Sequence, residues 1–94
     1  SNPARFAAAA GARILPDPTL LDLWRWSEAD FLRHTEGSAI RRIGHERWLR
    51  NIAVGLGNAL ASPAVIAALR ARRDDPSPLV REHVAWALAR HHAE

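Results

Sequence analysis

The sequence contains no cysteine, methionine, tyrosine or lysine. Without cysteine there are no disulfides, no thiolate metal sites and no thiol nucleophile within the chain. No apolar run approaches the roughly 20 residues that span a bilayer, and no secretory signal pattern is legible. The expected compartment is therefore the cytoplasm. Residues that favour strands are few, and none alternates with period two, so the pattern argues against a sheet.

What is present points to helix. Alanine, leucine and arginine dominate, and these are strong helix formers. Apolar residues make up 48% of the 94 positions, enough for one domain with one modest core. All thirteen basic residues are arginine, and the net charge is +3. A GC-rich coding bias also produces an all-arginine set, so the placement of charge carries more weight than its total.

Local signals divide the chain. Residues 1–16 are alanine-rich, can form a short helix stopped near Gly11 and Pro16, and read as a lead-in segment. Asp17 and Pro18 suit the cap and first position of a helix carrying Leu20, Leu21, Leu23 and Trp24. Ser27 with Asp30 forms a capping-box pattern and starts a second short helix anchored by Phe31. A longer helix is expected from Gly44 to about Ala61, with Leu49, Ile52, Ala53, Leu56 and Leu60 on its core face. Arg47, Asn51 and Asn58 fall opposite, with Val54 among them and Arg50 on the flank. Gly55 and Gly57 inside this helix signal close approach by another helix or a ligand.

Ser62-Pro63 and Ser77-Pro78 each cap and open a further helix. The first has Val65, Ile66 and Leu69 inward, with Arg70, Arg72 and Arg73 near its negative end. The second carries a buried stripe of Val80, Val84, Ala87 and Leu88. A short helix, an Asp-Pro turn and "LVREHVAWAL" resemble a HEAT-like unit, so residues 17–94 are expected to form an all-α, HEAT-like array of about five short helices.

The most charged stretch is "GSAIRRIGHERWLRN" (residues 37–51). Arg41 and Arg42 lie before a helix start, where free backbone N–H groups and the helix dipole favour anions. Arg47, Arg50 and Asn51 continue that surface, and guanidinium groups fork onto phosphate oxygens. The plainer reading pairs these arginines with Glu36 and Glu46, but two acids do not match four arginines. The four tryptophans are first of all packing residues; Trp48, beside the arginines, is the best candidate for stacking on a base. The histidines His34, His45, His83, His91 and His92 have no metal-ligand spacing, while His91 and His92 suit a helix C-terminus. "GLGNAL" lacks the preceding strand and third glycine of a dinucleotide loop. Ser27, Ser62 and Ser77 read as caps, and no catalytic residue is assigned.

Residues 37–58, "GSAIRRIGHERWLRNIAVGLGN", resemble a motif of the tRNA epoxyqueuosine reductases. Gly37, Ser38, Ile40, Arg42, Gly44, Leu49, Arg50, Asn51, Gly57 and Asn58 match it. Ala39 stands where that motif has proline, His45 where it has arginine, Trp48 where it has phenylalanine and Gly55 where it has alanine. The resemblance extends to "LPDPTLLDLWRWSEADFLRHTEGS" upstream and "DDPSPLVREHVAWALAR" downstream. It implies a C-terminal HEAT-like part of a longer enzyme that uses cobalamin and 4Fe-4S clusters, with residues 1–16 following the missing catalytic and iron–sulfur domain. It also implies that this part grips a tRNA anticodon stem-loop through Arg41, Arg42, Arg47, Arg50, Asn51 and Asn58, with no cofactor of its own. The competing expectation is a HEAT-like scaffold whose arginines meet an acidic protein.

Overall fold

The computed structural model describes residues 18–93, with side chains from Leu20 onward. The expected lead-in segment 1–16 and the Asp17 cap lie outside the described residues. The described chain forms five α-helices: α1 Pro18–Trp24, α2 Glu28–His34, α3 Gly44–Asn58, α4 Pro63–Arg70 and α5 Pro78–Arg90. A 3-10 turn, Ala39–Ile43, leads into α3, and no strand occurs among the described residues. The all-α class expected from the sequence is observed.

Three helix starts follow local chemistry. At α2, Ser27 Oγ accepts from the Asp30 N–H and the Asp30 carboxylate accepts from the Ser27 N–H, both at 3.1 Å. That backbone N–H, then the Ser27 hydroxyl, holds the Asp30 carboxyl below the usual carboxylate range. Ser62 Oγ accepts from Val65 N–H at 3.1 Å, and Ser77 Oγ from Val80 N–H at 3.2 Å. A proline follows each serine at the first helical position, where a missing N–H costs nothing.

Helix α3 is the spine. Leu49, Ile52, Ala53 and Leu56 are buried, and they meet the buried α5 stripe of Val80, Val84, Ala87 and Leu88. The two helices run parallel. The Ser77 hydroxyl at the start of α5 donates to the carboxylate of Glu46 at the start of α3. At the other end Arg90 Nε donates to Gly57 O at 3.1 Å. Gly57 makes this closeness possible: a Cβ there would stand 3.1 Å from the Ala87 backbone and 2.5 Å from the Trp86 ring. Helix α4 packs on both partners, with Val65 and Leu69 fully buried. From α1, Trp24 enters the core and donates its Nε1–H to Ala68 O at 2.7 Å.

Two expectations are corrected at the end of α3. The helix stops at Asn58 rather than Ala61, and Leu60, expected in the core, is 60% exposed. Side chains of α5 terminate it: Arg90 takes the Gly57 carbonyl, and His91 Nε2–H donates to Leu56 O at 2.7 Å. Helix-end carbonyls lack intrahelical partners, and cationic or N–H side chains satisfy them. His91 thus serves the end of α3 as well as closing its own helix. Arg72 behaves alike: instead of only complementing α4, it donates to the carbonyls of Trp24 and Trp26, both at 2.9 Å, beyond the end of α1.

Candidate nucleic-acid interface

Gly37 and Gly44 bracket the basic turn, with φ of 74° and 81°, the left-handed region that glycine enters without strain. Between them Ser38 caps the 3-10 turn through its Oγ, which accepts from Ile40 N–H at 3.2 Å. Ile40 packs against the core and leaves Arg41 and Arg42 exposed. Arg47, in the first turn of α3, is also exposed. These three arginines hold no carboxylate, carbonyl or ring among the described residues, and Arg73 is the one further arginine in that condition. Glu46, the acid closest in sequence, is engaged by Ser77, and Glu36 forms no ion pair. The pairing that would neutralise this surface is absent among the described residues.

Arg50 and Asn51 are half-buried and joined: Arg50 Nε donates to Asn51 Oδ1 at 2.8 Å. That bond uses Nε and leaves the terminal guanidinium nitrogens of Arg50 with donors to spare. His45 does not extend the positive surface. Its Nε2–H donates to Trp26 O at 2.9 Å, so the ring ties α3 to the turn after α1.

Asn58 stands apart from the other five. It lies on the same face of α3 as Arg47 and Asn51, but eleven residues beyond Arg47, about 16 Å along the axis. There it lines a cavity of about 270 Å³ with Val54, Glu82, His83 and Trp86. The structure therefore sets Arg41, Arg42, Arg47, Arg50 and Asn51 along the turn before α3 and its first half, and places Asn58 at its far end.

Trp48, expected as the best stacking candidate, is 3% exposed. Its ring lies parallel to Trp26 at 5.6 Å between centroids and tilted against Phe31 at 5.3 Å. Its place about 100° off Leu49 is covered by α2 and the α1–α2 connection rather than by solvent. Trp24 is buried, and Trp26 is stacked between Trp48 and His34. The tryptophan that reaches solvent is Trp86, 40% exposed, with Arg90 over its ring at 5.3 Å. No sequence signal separated it from the others except its position off the Val80–Leu88 stripe.

Among the described residues no three His, Asp or Glu side chains are grouped as metal ligands, and the chain has no cysteine. These residues do not fit an iron–sulfur cluster. No described helix is long and apolar enough to cross a membrane.

The described residues define an all-α domain with a basic cluster on one side of α3 and a small groove between the far end of α3 and α5. Over these residues the chain belongs to the epoxyqueuosine reductase family. It is 71% identical over 73 residues to the epoxyqueuosine reductase of Xanthomonas campestris, which covers 78% of this chain and 21% of that protein. It is 61% identical over 77 residues to that of Pseudomonas aeruginosa, covering 82% of this chain and 21% of the relative. With that of Escherichia coli K12 it shares 58% over 72 residues, covering 77% and 19% respectively. The chain thus spans about a fifth of the length of these curated relatives. No family model matches it, and no solved structure matches it.

Proposed function

We propose that this chain is the tRNA-holding part of an epoxyqueuosine reductase, serving queuosine biosynthesis by gripping the backbone of the anticodon stem-loop. Reduction of epoxyqueuosine belongs to the remainder of the longer protein, together with the cobalamin and iron–sulfur chemistry that the resemblance implies. No residue of this chain takes a chemical step. The observation that carries the reading is the end of α3: Arg41, Arg42 and Arg47 are exposed and hold no carboxylate, while the adjacent Glu46 is occupied by Ser77. Arginines held this way are available to phosphate oxygens. The oriented N–H groups at the start of the 15-residue α3 add to the same positive field. Arg50 and Asn51, locked to each other, supply donors of fixed direction toward phosphate or sugar.

The test is titration of a labelled anticodon stem-loop of a queuosine-accepting tRNA across a salt series. Three to four phosphate contacts give a log–log salt slope of about −3. Arg42→Ala/Arg47→Ala should reduce its magnitude by roughly 2 and weaken binding to any hairpin alike. An unchanged slope and affinity in that variant would remove these arginines from the interface. Salt-sensitive binding to an acidic protein, with none to RNA, would favour the scaffold reading instead.

A further inference from the structure

The groove at the far end of α3 is unlike the basic end. Its walls are Val54 and Asn58 from α3, and Glu82, His83 and Trp86 from α5. The Asn58 side chain makes no hydrogen bond among the described residues, so both its amide donor and its acceptor are available. His83 Nδ1 lies 2.8 Å from Leu79 O. A carbonyl only accepts, so Nδ1 carries the proton, and Nε2 of the neutral ring is left as an acceptor. Glu82 is exposed and forms no ion pair among the described residues. Arg90, one turn beyond Trp86, lies over the indole and is itself anchored on Gly57 O.

These features select among ligands. Glu82 and Arg90 put one charge of each sign at the rim, so the groove offers no net attraction to a free phosphate or an acidic peptide. A broad indole and the Val54 methyls offer contact to a flat, weakly polar ring. Asn58, Glu82 and the His83 acceptor then address the edge of that ring, with acceptors outnumbering donors among these three side chains. The groove also lies in line with the Arg47–Asn51 face, about 16 Å along the same helix. A strand held by its phosphates at the basic end can extend along α3 to reach it.

We propose that this groove receives one unpaired nucleobase of the bound RNA, stacked or edge-packed on Trp86 and held at its edge by Asn58 and Glu82. The inference rests on the tRNA-holding reading and deepens it. The acceptor-rich rim favours a base with N–H donors on its Watson–Crick edge, guanine above all, over uracil.

The experiment replaces each loop position of the stem-loop in turn by an abasic nucleotide, which keeps every phosphate. Each is titrated against the chain and against Trp86→Ala, Trp86→Phe and Asn58→Ala, with circular dichroism verifying the fold. Base stacking on an aromatic ring corresponds to roughly tenfold in affinity. One loop position should lose about that factor in the unmodified chain and lose almost nothing further in Trp86→Ala. Trp86→Phe should retain most of the effect, because it keeps a ring. Asn58→Ala, which removes no internal bond, should weaken binding of the intact loop at that same position only. Guanine there should bind more tightly than uracil. If RNA binds with its salt slope intact but no position couples to Trp86 or Asn58, the base site is overturned while the phosphate grip stands. If no RNA binds at low salt, both fall. Equal affinity for uracil at the coupled position would overturn the edge assignment.

Discussion

Gly57→Ala is the sharpest test of how α3 and α5 meet. Two effects oppose each other. Replacing a helical glycine by alanine stabilises the helix by up to about 1 kcal/mol, and less near a helix end such as this. Against that, the new methyl would stand 2.5 Å from Trp86 Cζ3 and 3.1 Å from both Cα and Cβ of Ala87. The indole is partly exposed and can swing away, losing its contact with Arg90, worth about 0.5–1 kcal/mol at an exposed site. The Ala87 backbone cannot swing: α5 has to move outward, and Val84 and Leu88 move with it. Overpacking of this kind costs about 1–3 kcal/mol. Packing therefore wins, with a net loss of about 1–2 kcal/mol, or roughly 5–15 °C in melting temperature for a domain of this size. Thermal unfolding by circular dichroism, beside urea titration, reads it directly. Gly57→Ala/Trp86→Ala should recover part of the loss, because the shortest contact is gone while the Ala87 contacts persist. A Gly57→Ala protein as stable as the parent would mean that the helices are not this close. Full recovery in the double variant would place the whole conflict on the indole and leave the backbone approach refuted.

Further outcomes follow from the caps and the buried indole. Ser62→Ala should cost about 1 kcal/mol through the lost cap alone, whereas Ser77→Ala should cost more, since its hydroxyl also holds Glu46 across to α3; equal losses in urea titration would discount the Glu46 link. Trp24→Phe should destabilise by about 2–4 kcal/mol, because Ala68 O is left buried without its donor and the smaller ring leaves a void; a loss under about 1 kcal/mol would mean that water replaces the indole N–H. The Asp30 carboxyl titrates below its unfolded value of about 3.9, so its contribution to α2 is fully present above that value and is lost as pH falls through the lower folded value. An NMR titration should show this midpoint rising toward the unfolded value in Ser27→Ala, and no movement would remove Ser27 as the cause.

The legible part of the fold was the local part. Ser27 with Asp30, Ser62 with Pro63 and Ser77 with Pro78 mark helix starts held by serine bonds spanning three residues, and each stands where the sequence places it. The end of α3 was not legible, since its last carbonyls are taken by Arg90 and His91, more than thirty residues away. Nothing local distinguishes residue 58 from residue 61 as a stopping point. Trp48 failed for a related reason. A helical wheel measures angle from one core face, but α3 is covered on two sides, by α5 and by the aromatic layer of Trp26 and Phe31. The arginine cluster was legible as a cluster, and the distance of Asn58 from it follows from eleven residues of helical rise, whereas the groove at Asn58 was not legible, because only the packing of α5 creates it.

The structure also changes what the arginine content means. Read as a total, thirteen arginines and a net charge of +3 say little about partners. Read by contact, most described arginines are committed to the fold. Arg72 and Arg90 close the ends of α1 and α3, Arg81 holds the carbonyls of Asp75 and Pro76, and Arg25 and Arg33 pair with Asp22 and Asp30. Arg72 and Arg90 cannot turn to a phosphate without leaving a helix-end carbonyl unpartnered, whereas the exposed pairs of Arg25 and Arg33 hold their guanidinium groups only weakly. Removing the committed ones from the sum leaves Arg73 by itself after α4, and Arg41, Arg42 and Arg47 together at the start of α3, where the Glu46 carboxylate accepts from Ser77. A surface charge acts on a partner within roughly a Debye length, about 8–10 Å at physiological salt. Over that distance the relevant quantity is the local charge, these three arginines set against Glu46, rather than the net charge of the chain. The Ser77 hydroxyl that starts α5 fixes where the Glu46 carboxylate lies but leaves its charge in place, so a partner at this end of α3 meets three free arginines less that one acid.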